Sequence, residues 1–239
     1  MYAECQTYRQ PEKETIKVWR YMDFTKLVAL LDSSQLYFAR ANTLEDKFEG
    51  SIPQRNFDSR AIDIATDNNN FLTESDLIET VESRRQEVAI NCWHRSNCES
   101  VAMWKIYLKS NEGVAIQSTY EKLKKSFIGS DEVYLGEVEY INYRKESIDN
   151  AGMYDHFYRK RREFQYEKEV RAMVIVPSEF RENTEQGVGI NIDIKTLIER
   201  IYIAPDSPLW FTDLVKSVIQ KYDYDFKVIR SSLKDEPLF

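Results

Sequence analysis

Two periods of hydrophobic spacing alternate along this chain, and the switches between them mark out its elements. Residues 16–21 alternate as a strand, and Asp23 then caps a helix carrying Leu27, Leu30 and Leu31 on one face. Residues 35–39 return as a strand, followed by a polar loop over 42–50 in which Phe48 is the one expected buried aromatic. Residues 51–73 show no period and end near Asn68, Asn69 and Asn70. Thr73 with Asp76 signals a helix start, with Leu77, Ile78 and Val81 as its apolar stripe. Residues 87–94 form a strand that places Val88, Ile90, Cys92 and His94 on one face.

Ser96 and Glu99 fit a capping box for a helix bearing Met103, Trp104 and Tyr107, with Gly113 suited to a left-handed stop. The pattern continues as strand 113–118, helix 120–127, long strand 132–141, helix 154–162 and strand 167–176. It closes with strand 189–192, a short helix, strand 200–204, a helix opened by Ser207 and Pro208, and strand 226–230. There is no repeat, linker or low-complexity tract. The expected architecture is one α+β domain over residues 16–239, with a mixed, largely antiparallel central sheet flanked by helices, behind a loose leader at 1–15.

Composition narrows the chemistry. The 239 residues suffice for a buried core, and 33 Lys+Arg against 40 Asp+Glu leave a net charge of −7. That balance argues against a generally basic nucleic-acid footprint. Seven glycines leave little for a glycine-rich phosphate cradle, and two histidines remove most histidine-based metal and triad schemes. No apolar run approaches the roughly 18 residues of a membrane helix, so no membrane role is expected and a cytoplasmic location is the default. Cys5, Cys92 and Cys98 fit no disulfide framework.

The most informative stretch runs from Gln165 to Val174. Read as a strand, it puts Val170, Ala172 and Val174 on a core face and Glu167, Glu169 and Arg171 on the other, about 7 Å apart. Two readings follow: an edge strand whose charges pair with one another, or a carboxylate pair oriented by a guanidinium. Glu45, Asp46 and Glu49 form a second acidic cluster in the loop after the second strand. Arg159, Lys160, Arg161 and Arg162 are the densest basic run, either a solvated helix face or a contact for a nucleic-acid backbone. Cys92, His94 and Cys98 lack the paired spacing of a zinc site, so no metal ligands are assigned. Trp104 and Tyr107 make an aromatic stripe that suits a core more readily than a ligand platform.

Several segments taken in order carry a resemblance. They are Trp19-Arg20-Tyr21, then Leu44-Glu45-Asp46-Lys47-Phe48-Glu49, Cys92-Trp93-His94 and Met103-Trp104-Lys105-Ile106-Tyr107. Gly113-Val114-Ala115-Ile116, Tyr166-Glu167-Lys168-Glu169-Val170-Arg171 and Ile203-Ala204-Pro205 follow. Over residues 17–233 the chain resembles the bacterial and phage-associated family called domain of unknown function 2971. It departs at Glu45 and Lys47, where that family tends to have Asn and Pro, and at His94, where a small hydroxyl residue is usual. The resemblance implies a site around Asp46 and Glu49 and a setting in phage defence or host–phage conflict, but no reaction.

Three functional classes remain. An ADP-ribosyltransferase-like enzyme would break the glycosidic bond of NAD through a cationic state, with Glu169 stabilising the cation and Glu167 serving the acceptor. Arg20 would then anchor the diphosphate, Tyr21 or Trp104 would stack on nicotinamide, and Ser118 or Thr119 would supply a hydroxyl. Asp46, Glu49 and Arg171 complete the expected substrate-binding set. A metal-dependent nuclease or phosphodiesterase would instead gather Asp46, Glu49, Glu167 and Glu169 around Mg²⁺. The third class is a ligand-binding or protein-interaction module without catalysis. Oligomeric state is not legible.

Overall fold

The computed structural model describes residues 1–59, 73–149, 152–176 and 186–237. The expected unpatterned stretch falls largely outside them, its Asn68, Asn69 and Asn70 included. Twelve strands are resolved among the described residues, ten of them in one mixed sheet. In chain order they are β1 (Tyr2–Ala3), β2 (Lys17–Asp23), β3 (Gln35–Arg40), β4 (Val88–Arg95), β5 (Gly113–Thr119) and β6 (Val133–Glu137). Then come β7 (Glu139–Ile141), β8 (Arg159–Arg161), β9 (Glu169–Ile175), β10 (Gly187–Asn191), β11 (Arg200–Ile203) and β12 (Lys227–Arg230). The helices described over their full span are α1 (Phe24–Ser33), α2 (Glu74–Glu87), α3 (Val101–Tyr107), α4 (Tyr120–Ser126), α5 (Ile194–Leu197) and α6 (Leu209–Lys221), and residues 54–59 are also helical.

The main path through the sheet is β1-β6-β9-β4-β2-β5-β11-β12, with β3 joined to β4 and β10 joined to β3. Only β1/β6 and β11/β12 pair parallel within it, so the sheet is mixed and largely antiparallel. The separate pair β7/β8 is parallel.

One face of the sheet is largely apolar. Val18, Met22, Trp93, Val114, Ile116, Val170, Ala172 and Val174 pack there against Leu27, Leu30 and Leu31 of α1, Leu123 of α4 and Phe211, Val215 and Ile219 of α6. Burying such side chains contributes about 1.5–3 kcal/mol each, which fixes the strand register because a one-residue slip would turn them all outward.

The second face has two smaller apolar clusters. One gathers Tyr8, Val88, Ile90, Phe157, Tyr158 and Met173. The other gathers Trp19, Tyr21, Met103, Trp104, Ala115 and Ala204. Between them on the same face, register places Cys92 opposite Arg171 and His94 opposite both Trp19 and Glu169.

Several local expectations change, among them the long strand 132–141, which is β6 in the main sheet and β7 in the separate pair. Residues 1–15 are docked, since Tyr2 and Ala3 pair with β6 and the Tyr8 ring stacks on Tyr158 at 4.0 Å. The helix expected at 154–162 is instead a 3₁₀ turn, the strand β8 and a second 3₁₀ turn over Arg162–Glu167. Lys168 ends that turn with φ 42°, so Glu167 precedes β9 rather than belonging to it. The helix after β4 starts later than Ser96 suggests: Ser100 caps it by accepting from the Met103 amide, and it stops at Tyr107, while Gly113 is already strand. The Thr73–Asp76 capping box forms as expected, although Ile78 of its stripe stays exposed.

Candidate functional site

The sheet forks at β4. Its last residues pair with β2 at Val18↔Arg95 and Trp19↔His94, whereas its first half pairs with β3 at Ala39↔Ile90 and Arg40↔Ala89. Asn91, Cys92 and Trp93 therefore have no strand on that side. Side chains close the gap: Asn91 donates to the Tyr37 carbonyl at 2.8 Å, and Arg20 Nη1 donates to the Cys92 carbonyl at 2.7 Å. Buried carbonyls need such partners.

On the second face beside this fork, five charged side chains meet. Arg171 is 0% exposed and uses all five of its N–H groups. Nε and Nη2 donate to the two oxygens of Glu169 at 2.6 and 3.0 Å, and Nη1 and Nη2 to those of Glu49 at 2.7 and 3.1 Å. The fifth goes from Nη1 to the Phe157 carbonyl. Lys160 Nζ joins the same carboxylates, at 2.5 Å from Glu167, 3.3 Å from Glu49 and 3.4 Å from Glu169. Three acids from two distant segments thus share two cations.

Local structure explains each placement. Glu169 and Arg171 share a face as alternate residues of β9. Lys160 is the middle residue of β8, so it points inward while Arg159 and Arg161 pair with Glu139 and Asp46 at the rim. Glu49, at 3% exposure, is turned in by the following residue: Gly50 has φ +71°, and an added Cβ would lie 2.2 Å from the Phe157 ring. The expected buried aromatic of this loop, Phe48, is instead 41% exposed and lies under the Arg161 guanidinium at 4.7 Å. The charge is buried and the ring is not.

The carboxylates are pushed in opposite directions. Burial disfavours the charge on both, but the adjacent Arg171 and Lys160 hold Glu169 ionised, with its pKa lowered to about 2. Glu167 is shifted up, because desolvation and the neighbouring Glu169 outweigh its contact with Lys160. Burial also raises the Cys92 thiol far above its ordinary value, with Glu169 adding to the effect. His94 Nδ1 lies 2.5 Å from the Glu167 carbonyl, to which it donates, and burial lowers its pKa. Cys92 and His94 are therefore each committed to a glutamate and do not form a nucleophile–base pair.

The remaining candidates are placed as follows. Arg20 is half-buried, lies in electrostatic range of Glu169, and has no carboxylate within ion-pair distance among the described residues. Asp46 stands one step out, held by Arg161 at 2.9 Å. Tyr21 and Trp104 enclose one another, their rings 4.8 Å apart and nearly perpendicular. Their polar tips are bound, the Tyr21 hydroxyl by the Ser100 amide and Trp104 Nε1 by Glu99. Ser118 is buried and donates to the Leu197 carbonyl, and Thr119 caps α4, so neither hydroxyl reaches the carboxylates. Arg162 pairs with Glu146, which leaves all four members of the basic run facing an acid.

Tyr140, unremarked in the sequence, and Tyr107, expected in a core stripe, stand at the cluster. The Tyr140 hydroxyl accepts from the Glu169 amide at 2.8 Å, and Tyr107, 40% exposed at the end of α3, lies in electrostatic range of Glu167, Glu169 and Arg20. Lys160 was visible only as part of a charge run. The period-2 alternation of a three-residue strand is too short to single it out.

Among the described residues, no three His, Cys, Asp or Glu side chains are grouped as metal ligands. The three buried carboxylates are turned to Lys160 and Arg171 instead. No described helix is long and apolar enough to cross a membrane.

No family model matches the chain, and no curated protein matches it. Similar solved structures include Thermus sp. 2.9 DarT in complex with NAD+, at 10% identity and TM-score 0.42 over 93% of this chain and 97% of that one. The same protein in complex with carba-NAD+ gives 8% identity and TM-score 0.39, covering 91% and 96%. Its complex with ADP-ribosylated ssDNA gives 10% and 0.40, covering 93% and 96%. At these values the likeness assigns neither an activity nor residue roles.

Proposed function

We propose that the chain is an ADP-ribosyltransferase-like enzyme that takes NAD as substrate at the β4 fork. The observation that supports this reading is a juxtaposition. An arginine with no acid partner among the described residues lies in electrostatic range of Glu169, which is held ionised, and Glu169 in turn neighbours Glu167, which is shifted toward protonation. An arginine so placed suits the diphosphate of a dinucleotide. Glu169, fixed as an anion, stabilises the positive charge that develops on the ribose as its bond to nicotinamide breaks, with the bonding pair leaving on the nicotinamide nitrogen. An acceptor hydroxyl, amine or ring nitrogen then forms the new bond to the same carbon, and its proton passes to Glu167, whose raised pKa makes it the better base. Tyr107, partly exposed beside both acids, lines the approach.

Incubation with NAD tests this directly. The expected results are a rise in melting temperature and release of nicotinamide. Glu167→Gln lowers release about a hundredfold or more, while Arg20→Ala weakens NAD binding and, by freeing the Cys92 carbonyl, also lowers stability. Absence of both a thermal shift and nicotinamide release at millimolar NAD would sink the reading.

One observation favours a second reading. The saturation of Arg171 by Glu49, Glu169 and the Phe157 carbonyl is what a structural cross-link between loop and sheet requires. A cross-link alone predicts that Glu167→Gln changes no binding or turnover of any ligand.

A further inference from the structure

A cleft of about 360 Å³ runs beside α3, between the chain that follows it, the turn after β11 and the C-terminal segment. We propose that it binds a small amphiphilic anion, an apolar ring or chain carrying a phosphate or carboxylate. The volume lies in the range of small-ligand pockets, roughly 300–1,000 Å³. Its lining divides into two parts. Val101, Leu108, Pro205 and Leu233 are apolar, and Val101 and Leu233 expose 50% and 40% of their surface. Lys105 and Lys109 supply the charge.

Charge bookkeeping sets this cleft apart on a chain of net −7. Its one acid, Asp206, is paired with Lys234 across the mouth. Lys105 and Lys109 have no acid partner among the described residues, so the charge left over in the cleft is positive. An anion entering it gains two cations without displacing a carboxylate, and its apolar body covers side chains that water now wets.

The walls are preformed. The Lys109 amide donates to Asp23 Oδ1 at 3.1 Å, and the Ser207 hydroxyl donates to the Asn111 carbonyl at 2.5 Å. The Ala204 amide donates to the Gly113 carbonyl at 3.0 Å, tying the far wall to β5. Preformed walls reduce the ordering cost of binding. This cleft does not include the carboxylates, and the proposal does not rest on the NAD reading.

Titration with 1-naphthyl phosphate, followed by its own fluorescence, tests the assignment, with 1-naphthoate, 1-naphthol and inorganic phosphate as comparisons. Saturable binding of 1-naphthyl phosphate is expected, weakened about tenfold or more by Lys105→Gln with Lys109→Gln, since two charge-assisted contacts are lost. Leu233→Ser should weaken the naphthyl anions and leave inorganic phosphate unchanged. Naphthoate binding as tightly as the phosphate supports a site that takes either anionic head, and weaker naphthoate binding identifies a phosphate head. No saturable binding of either naphthyl anion at millimolar concentration overturns the proposal, as does binding retained by the double lysine variant. Naphthol or inorganic phosphate binding as tightly as naphthyl phosphate overturns it too, by removing the charge or the apolar wall from the account. Binding lost in Glu167→Gln but kept in the lysine variant would put the anion at the β4 fork instead.

Discussion

At the scale of single residues, Glu167 and Glu169 are two apart in sequence and opposite in behaviour. Glu169 is an ionised acid in a cage of Arg171 and Lys160, whereas Glu167 meets Lys160 alone and feels the charge of Glu169. The signs give separate pH windows. A folded pKa near 2, below the unfolded value near 4.5, means that Glu169 stabilises the fold above about pH 4.5 and loses that contribution as pH falls toward 2. A folded pKa above the unfolded value means that Glu167 favours the fold most when protonated and less as pH rises through its own raised value. Glu169→Gln should therefore lower the melting temperature at pH 7 and flatten its fall in acid. Glu167→Gln should leave the melting temperature at pH 8 unchanged or higher. Thermal melts of both variants across pH check this, and equal losses would refute the asymmetry.

At the scale of elements, the site depends on how short irregular segments are pinned to the sheet. Gly50 is the clearest case, because its positive φ and the Phe157 ring leave no room for a side chain where the loop must turn Glu49 inward. Gly50→Ala should destabilise the chain by about 1–3 kcal/mol, from overpacking and backbone strain together, and should impair whatever the carboxylates do. Denaturant unfolding measures the first effect and ligand binding the second. A variant as stable as the parent would mean that the loop does not need this turn.

At the scale of the whole molecule, one apolar face of the sheet carries most of the core, and the second face is completed by chain that looks unstructured in sequence. The N-terminal residues belong to that cover. Tyr8 stacks on Tyr158, whose hydroxyl donates to the Tyr134 carbonyl beneath it. Tyr8→Ala should cost about 3–5 kcal/mol, as for other buried aromatic truncations. A loss below 1 kcal/mol would restore the picture of a loose leader.

The sequence by itself determined the helices and strands whose burial is periodic. The helix with Leu27, Leu30 and Leu31, the strand Val88–Arg95 and the apolar side of Glu169–Ile175 are legible because each buries one face against a large common core, although Asp23 accepts from the Lys109 amide rather than capping that helix. It also marked out Glu49, Glu167, Glu169 and Arg171 as unusual. Only the tertiary structure decided that they meet and that the meeting is buried, since Glu49 and Arg171 are 122 residues apart. No local period records a contact over that separation. The places of Lys160, Tyr107 and Tyr140 at the cluster were hidden for the same reason: a three-residue strand, a helix end and a short edge carry too few positions for any period to show which side chain turns toward it. The excess of acid in the composition was read from the sequence, whereas the partners that neutralise its buried part were set by the fold.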